Sequence, residues 1–377
     1  MAKEPRYPNQ LRNLIVTSGY TFKEISEETG ISLSALFIYA RGERAIPHSS
    51  RLAIARVIGC SVDELVPRMQ ETRSTGRNEI NSESLSEHED AITARWERYY
   101  TSGAVSASIG LPVWLRDIAA FVHFTDNKQL ITRVHILLTM GYQLQSCVQR
   151  DLMDYRQAHL SYQKAFDIAK ELDNTEFVVA ALAREGVTLI QQDKPLEAIF
   201  YLKGGLNILG DSPLPVLCGH IWQAVSEAHA KANQAKECWE AIERAECFHS
   251  DHVQVQAQCF IRGVTAASIM AQKGVNAVLL QDYAQAINYF GESLKIYDPS
   301  LLRGKARLLA QKAEAYFGHG TLDACISYAE DALFLARTAG SSRTIARVQA
   351  LHTRLTQSCW RKEQGVTRLG KTLKERL

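Results

Sequence analysis

The chain has 377 residues, long enough for two or three domains that each hold a sizeable hydrophobic core. Hydrophobic residues make up 46% of it and charged residues 22%, which is ordinary for a soluble globular protein and excludes a mainly disordered chain. The formal net charge of +2 favours no class of partner, because a small basic domain can be masked by the rest of the chain.

The N-terminus carries no recognisable targeting signal, because no apolar run follows the charged segment 3–6. No apolar stretch approaches the roughly 20 residues needed to span a bilayer. We therefore expect a cytoplasmic protein without a membrane partner.

The eight cysteines include no CxxC pair, and none has a histidine at zinc-finger spacing. We expect free thiols, mostly buried, in a reducing compartment. We expect no metal and no cofactor.

Apolar residues recur at three- and four-residue spacing almost throughout, and proline is scarce, so the sequence predicts an all-α protein. The first helix starts near Leu11 and ends at Gly19. Thr21 and Glu24 form a capping box that opens a second helix. Gly30 then allows a tight turn, and Ser32 caps a third helix that runs to Gly42.

Two further helices complete this N-terminal block. Pro47 opens the fourth, Gly59 closes it, and the segment SVDEL starts the fifth at Ser61. The block is similar to the lambda-repressor/Cro-like (XRE) helix-turn-helix family over residues 8–66. The matching segments are LRNLIVTSGYT, FKEISEETGIS, ARGERAIP and IARVIGCSVDELV.

This resemblance implies a DNA-binding domain over residues 1–68, with the third helix in the major groove of double-stranded DNA. Leu36 and Tyr39 would then face the core. The positions that would contact bases or phosphates are Thr21, Lys23, Ser32, Leu33, Ser34, Phe37, Ile38, Arg41 and Arg44.

The reading face departs from the family in two places. Phe22 stands where many members have Gln, and Ala40 stands where many have Glu. No Gln, Asn or Arg lies where the family usually reads bases bidentately, so Leu33, Phe37 and Ile38 would contact thymine methyl groups. The alternative is that this apolar face binds a protein.

The segment between the block and the next apolar pattern, 69–90, is rich in Ser, Glu and Asn and is predicted to be a flexible linker. Connecting helices are expected over 91–140. The segment from Ile109 to Arg150, which begins in this region, has the pattern of a helical hairpin that leads into the array described next.

Residues 141–358 contain a repeat in which a small residue is followed by a larger one after four positions and a small one after three more. The five matches begin 40, 40, 48 and 39 residues apart. They are Ala158/Tyr162/Ala165, Ala198/Leu202/Gly205, Cys238/Ile242/Ala245, Ala286/Phe290/Ser293 and Cys325/Ala329/Ala332. A further small residue lies twelve positions before each match: Ser146, Gly186, Ser226, Gly274 and Ala313.

Helices of a hairpin approach closely only where small side chains meet, and no single hairpin can bury its apolar face alone. The pattern resembles the tetratricopeptide repeat (TPR), and it implies an α-solenoid of TPR-like helical hairpins. The periods exceed that family's usual length of about 34 residues, so helices or loops are extended. A capping helix over 344–357 and a basic tail over 359–377 are expected to follow.

The tail from Arg361 onwards holds six basic and two acidic residues. We interpret it as a solvated helix end. The alternative is a minor role in holding DNA or a partner.

The first helix of each hairpin should line a concave surface that suits a ligand. The lining candidates are Gln143, Arg150, Gln191, His220, Gln223, Glu227, Lys231, Arg307 and Glu314; a merely solvated face is the alternative. The combination of domains resembles the peptide-sensing (RRNPP) regulators of bacteria, which implies a homodimer and a signalling peptide. A small-molecule effector remains open.

The sequence contains no P-loop, HExxH or GxSxG motif, so we expect no enzymatic activity and no catalytic residue. Three functions remain: a ligand-responsive transcription regulator, a constitutive regulator whose repeats only dimerise, and an adaptor that uses both parts to bind proteins.

Overall fold

The computed structural model describes residues 10–18, 20–44, 46–60, 62–65, 82–210, 214–249, 255–256 and 259–375. The chain divides into two compact units, Met1–Asn78 and Glu79–Leu377. The described residues are almost entirely α-helical, so the predicted all-α class is confirmed.

The N-terminal unit has the predicted five helices around one small core. They are α1 (Leu11–Ser18), α2 (Phe22–Thr29), α3 (Leu33–Ala40), α4 (His48–Ile58) and α5 (Val62–Leu65). Leu11, Ile15, Ile25, Leu36 and Ile54 are fully buried and come from all but the shortest helix. Residues 8, 9, 19, 45, 61 and 66, which the sequence also assigns to this block, lie outside the described residues.

The C-terminal unit opens with helices that precede the repeats. They are α6 (Ser82–Thr101), α7 (Ala104–Ser108), α8 (Leu111–Ala120) and a 3-10 turn (Phe121–Phe124). Five hairpins follow. They are α9 (Lys128–Asp151) with α10 (Tyr155–Glu171), α11 (Thr175–Gln191) with α12 (Pro195–Leu209), α13 (Pro215–Lys231) with α14 (Ala235–Glu246), α15 (Ala266–Leu279) with α16 (Tyr283–Ile296), and α17 (Leu302–His319) with α18 (Leu322–Thr338). The unit closes with α19 (Ser342–Thr356) and α20 (Gln364–Lys374).

Small residues let the two helices of each hairpin cross closely, as the repeat pattern predicts. A Cβ atom added to Gly186 on α11 would lie 2.6 Å from the Leu202 side chain on α12. The same addition at Gly274 on α15 would lie 2.6 Å from the Phe290 ring on α16. The α-solenoid of helical hairpins is therefore confirmed, together with its register.

The turn inside each hairpin repeats one backbone feature. A residue with positive φ lies five positions before each repeat match, and these residues are Met153 (66°), Asp193 (61°), Asn233 (57°), Gln281 (65°) and Gly320 (87°). A left-handed residue reverses the chain in a few residues, so these turns set the angle between the paired helices.

The 48-residue repeat has an insertion between α14 and α15. A short antiparallel hairpin forms there from β1 (Val255–Gln256) and β2 (Ile261–Arg262), with Val255 opposite Arg262. Other connections between successive helical hairpins are only a few residues long, so this loop accounts for the extra length.

Three segment predictions differ from the structure. The predicted boundary between 140 and 141 falls inside α9, because the first hairpin already begins at Lys128. Residues 82–90, expected to belong to a linker, form the first half of α6, because Leu85 and Ile92 are fully buried in the core. The predicted tail contains α20, whose Val366 and Leu369 are buried against α18 and α19. The remainder of the linker, 69–81, lies outside the described residues.

By length and composition, the segment Ala104–Phe124 is long enough and apolar enough to span a membrane. The expectation that no segment meets these two conditions was therefore wrong. The structure divides this segment into α7, α8 and the 3-10 turn, and Gly110 takes a left-handed conformation at the break. Leu111, Leu115 and Ile118 are buried among the surrounding helices. About 28% of the segment is buried, so this packing accounts for part of its apolar composition.

Candidate functional site: the α2–α3 surface and a cationic cavity

The pair α2–α3 is fixed by hydrogen bonds at both helix starts. The Thr21 hydroxyl accepts a hydrogen bond from the Glu24 amide at 3.2 Å, and the Glu24 carboxylate accepts one from the Thr21 amide at 2.7 Å. The Ser32 hydroxyl accepts one from the Ala35 amide at 3.3 Å. Thr21 and Ser32 therefore act as helix caps, and Gly30 supplies the left-handed residue between the helices.

One face of α3 is exposed and the other is buried, in the predicted register. Leu36 and Tyr39 face the core, whereas Leu33 is 39% exposed and Phe37 is 43% exposed. Ser34 is exposed and Ile38 is half-buried. The outward face of α3 is thus a largely apolar surface on a rigid helix.

Phe22 adds apolar contact to this face of α3. Its ring stacks on Phe37, with 4.6 Å between the ring centroids. The side chain of Phe37 is therefore held against α2, and the position where the resembled family has Gln supplies packing in place of hydrogen-bonding groups.

The basic residues near α3 are exposed and weakly paired. Arg41 contacts Glu43 at 2.9 Å and Lys23 contacts Glu27 at 3.9 Å, and Arg44 is exposed. Exposed ion pairs contribute only about 0–1 kcal/mol, so a phosphate could replace these carboxylates at little cost.

The C-terminal unit contains a cavity of about 270 Å³ on the inner side of the solenoid. The first helices of the hairpins line it, namely α9, α11, α13 and α17, together with α6, α19 and β2. Four of the five first helices, which the sequence predicts to line a ligand surface, thus contribute residues to this cavity.

Seven arginines line this cavity, and Asp151 is the single acidic side chain among the lining residues that the structure describes. They are Arg150, Arg184, Arg262, Arg303, Arg307, Arg343 and Arg347. Such an excess of guanidinium groups in a partly closed space favours a negatively charged occupant.

Asp151 neutralises Arg150 and Arg303, and the Tyr99 hydroxyl bonds all three side chains. The Tyr99 hydroxyl donates to Asp151 Oδ2 at 3.0 Å and accepts from Arg150 and Arg303, each at 2.9 Å. Arg303 also bonds Asp151 directly. Burial alone would raise the pKa of Asp151, but attraction by Arg303 and Arg150 outweighs it and lowers the pKa, so the carboxylate stays ionised.

Arg347 is neutralised separately. Its guanidinium forms two hydrogen bonds of 2.7 Å with the carboxylate of Glu314, which is not one of the lining residues. Glu227 adds further attraction, and the pKa of Arg347 is raised although burial opposes this.

The other four arginines form no ion pair with any residue that the structure describes. Arg184 bonds the Gln143 side chain and the Cys259 carbonyl, and Arg262 stacks on the Tyr100 ring at 4.4 Å. Arg307 is exposed and Arg343 is half-buried. Burial and repulsion by Arg347 and Arg307 lower the pKa of Arg343 to about 10, although Asp151 attracts it, so the side chain remains charged at neutral pH.

His220 also faces the cavity and is uncharged. Burial and repulsion by Arg184 and Arg150 lower the pKa of its imidazole to about 4. A neutral imidazole can offer a ligand one hydrogen-bond donor and one acceptor.

Four of the nine predicted ligand-binding residues meet at this cavity: Arg150, Gln191, His220 and Arg307. The other five lie outside its lining and bond within the protein. Gln143 donates to the Phe177 carbonyl, Gln223 donates to the Ser268 carbonyl, Glu227 accepts from Gln272, Lys231 pairs with Asp193, and Glu314 pairs with Arg347.

Sequence reasoning missed most of the arginines. Arg262 belongs to the insertion and Arg343 to the helix after the last repeat, both outside the repeat register. A usable signal was present, however: Arg303 and Arg307 are four residues apart, as are Arg343 and Arg347, so each pair shares one helix face.

No family model matches the chain, and no curated protein matches it. Among solved structures, BtubC (BKLC) from P. vanneervenii is 11% identical, with 69% of this chain and 94% of that chain covered and a TM-score of 0.39. MamA protein is 18% identical, with coverages of 54% and 95% and a TM-score of 0.29.

The chain is also similar to Bacillus thuringiensis PlcR in complex with the peptide PapR7 and DNA. The identity is 13%, the coverages are 93% and 98%, and the TM-score is 0.39. At TM-scores below 0.5, none of these likenesses bears on what this chain binds.

Proposed function

We propose that the protein is a non-enzymatic, DNA-binding transcription regulator whose DNA binding responds to a ligand in the solenoid cavity. The observation that carries this proposal is the α2–α3 pair, capped at both helix starts, which presents an exposed helix face beside exposed and weakly paired basic residues. The XRE-type resemblance of residues 8–66 supports it. In this proposal α3 enters the major groove and Leu33 and Phe37 contact thymine methyl groups.

The remaining DNA contacts would come from basic groups and helix ends. Lys23, Arg41 and Arg44 would bind phosphates, and the N-terminus of α2 at Thr21 would direct its amides at the backbone. Ser32, Ser34 and Ile38 would complete the surface. We further propose a cytoplasmic homodimer that binds a two-fold operator, as regulators with this type of domain do.

The cavity is the proposed sensor. Tyr99 and Tyr100, near the C-terminal end of α6, line it. The N-terminal end of α6 is joined through segment 66–81 to the DNA-binding unit. A ligand that changes the position of α6 would therefore act on the connection between the units. A signalling peptide, which the resemblance to RRNPP regulators implies, would place its terminal carboxylate among the arginines, and a small-molecule effector would bind the same groups.

The test is a gel-shift titration of the full-length protein on genomic fragments captured by the purified protein. Replacing Arg44 with alanine should weaken binding to all fragments alike and reduce the slope of log affinity against log salt by about 1, because one phosphate contact is lost. Arg156→Ala, on the exposed surface of α10, is the matched control and should change neither quantity.

The exposed apolar side chains of α3 favour one competing function, an adaptor that binds a protein at this face. Capture of no specific DNA fragment at moderate salt, alongside a stable protein complex that Phe37→Ala abolishes, would replace the regulator with this adaptor.

A further inference from the structure

The cavity wall has more positive charge than the protein itself neutralises. Asp151 is shared by Arg150 and Arg303, and Glu314 is used by Arg347. Arg184, Arg262, Arg307 and Arg343 make no ion pair within the described part of the chain. Asp298 slightly attracts Arg262, yet it lies beyond ion-pair distance and is exposed.

Unsatisfied polar atoms accompany this excess charge. Arg262 Nε and Gln191 Oε1 are buried without a hydrogen-bond partner among the described residues, and both side chains line the cavity. Buried donors and acceptors are rarely left unpaired in folded proteins, because each costs about 1–3 kcal/mol. Excess charge and unmet hydrogen-bonding capacity therefore occur together in this cavity wall.

The unpaired arginines approach the cavity from separate parts of the fold. Arg262 comes from the β1–β2 insertion, Arg307 from α17 and Arg343 from α19. Guanidinium groups bind phosphate and carboxylate oxygens through two parallel hydrogen bonds, which a single chloride ion cannot accept. A doubly charged oxyanion would therefore bridge the insertion, α17 and α19, whose arginine charges otherwise repel one another.

The remainder of the lining sets limits on the ligand. The volume of about 270 Å³ lies just below the range of roughly 300–1,000 Å³ that small-molecule sites occupy. Val187, Ile261 and Leu301 add apolar surface, and neutral His220 adds a hydrogen-bonding group. A compact molecule with one strongly anionic end and a mainly apolar body suits these walls.

We propose that this cavity binds a small ligand with a doubly charged oxyanionic group, a phosphate or a pair of carboxylates, held by Arg262, Arg307 and Arg343. The assignment rests on the proposed function only in treating this ligand as the effector of DNA binding. Binding replaces repulsion among the arginines with attraction, so it stabilises the C-terminal unit.

Calorimetric titration and thermal unfolding of the full-length protein, without DNA, test the assignment. Sodium sulfate, inorganic phosphate, a phosphate monoester and succinate each replace sodium chloride at constant ionic strength. At least one dianion should bind saturably and raise the unfolding temperature above its value in chloride. The preferred probe separates a phosphate ligand from a dicarboxylate.

Variants locate the site. Arg343→Gln and Arg307→Gln should each lower the affinity for the preferred dianion about tenfold, because each removes a charge-assisted hydrogen bond. Arg307 is exposed, so its replacement should leave the fold intact even if Arg343→Gln proves unstable. Arg156→Gln removes a charge of the same sign at an exposed position outside the cavity lining and should bind like the unaltered protein.

Three results would overturn the assignment. The first is that no dianion stabilises the protein more than chloride does. The second is that both cavity variants bind as tightly as Arg156→Gln. The third is that a short peptide binds more tightly than every small dianion and equally well as its C-terminal amide. None of these depends on DNA, so they leave the helix-turn-helix proposal standing, and loss of operator binding alone would leave the anion site standing.

Discussion

Individual side chains explain why the cavity was only partly predictable. Arg150, Gln191, His220 and Arg307 follow from the rule that first helices line the inner side of a solenoid. Arg262 and Arg343 do not, because they come from the insertion and from the helix after the last repeat. The contacts around the cavity also join residues that are far apart in sequence, as Arg303 and Asp151 show, and no local pattern records such a contact.

His220 gives a pH-dependent prediction at this scale. Its pKa is about 4 in the folded protein against about 6.5 in an unfolded chain, so between these values the unfolded state binds more protons. The stabilisation that His220 contributes is therefore complete above pH 6.5 and is lost as the pH falls from 6.5 towards 4. We expect His220 to account for about 2 kcal/mol of the stability lost between pH 7.5 and pH 5.

Urea unfolding of the full-length protein at the two pH values measures this loss. His220→Asn should show a loss smaller by about that amount. His319→Asn, at an exposed position, is the control and should behave like the unaltered protein. An equal loss in all three proteins would show that His220 is not held neutral in the folded state.

At the scale of helices and turns, the sequence is most informative where packing demands a residue of a certain size. Gly186 and Gly274 were recognised because a larger residue would collide with the facing helix, and the hairpin register follows from them. The start of α6 was missed for the opposite reason. Its first ten residues are mostly polar, and burial of Leu85 in a core built from distant helices overrides their linker-like composition.

The left-handed turn residues lead to a second prediction. A non-glycine residue in this conformation costs roughly 1–2 kcal/mol, and Asn tolerates it better than Gln does. Gln281→Gly should therefore raise the free energy of unfolding by up to about 1 kcal/mol, and Asn233→Gly should raise it less.

The same substitution in a helix is the control for this prediction. Gln285 lies on the exposed side of α16 within its first turn, where glycine should lower stability by about 0.5–1 kcal/mol. Denaturant unfolding compares the three variants. Destabilisation by Gln281→Gly as large as that by Gln285→Gly would mean that the turn conformation carries no strain.

The whole molecule consists of two units with separate hydrophobic cores, which the change in sequence pattern near residue 66 indicates. Because the core around Leu36 shares no residue with the core of the solenoid, we expect two thermal transitions. Leu36→Ala should lower the free energy of unfolding of the N-terminal unit by about 2–5 kcal/mol, the range typical of a buried leucine. The transition of this unit should then move to a lower temperature.

Scanning calorimetry of the full-length protein checks this expectation. Leu217→Ala, in the fully buried core of α13, is the converse variant and should lower the other transition alone. A single transition that shifts as one in both variants would show that the units unfold together.

The β1–β2 hairpin has an evolutionary consequence. It is inserted between two helical hairpins, so its length and sequence can change while the register of the flanking repeats stays the same. It nevertheless delivers Arg262 to the cavity, and the Phe260 carbonyl accepts a hydrogen bond from Tyr100 on α6 at 2.6 Å. If the cavity binds the proposed anion, related chains could change their ligand by exchanging this one loop, and a hairpin transplanted between them would transfer its ligand preference.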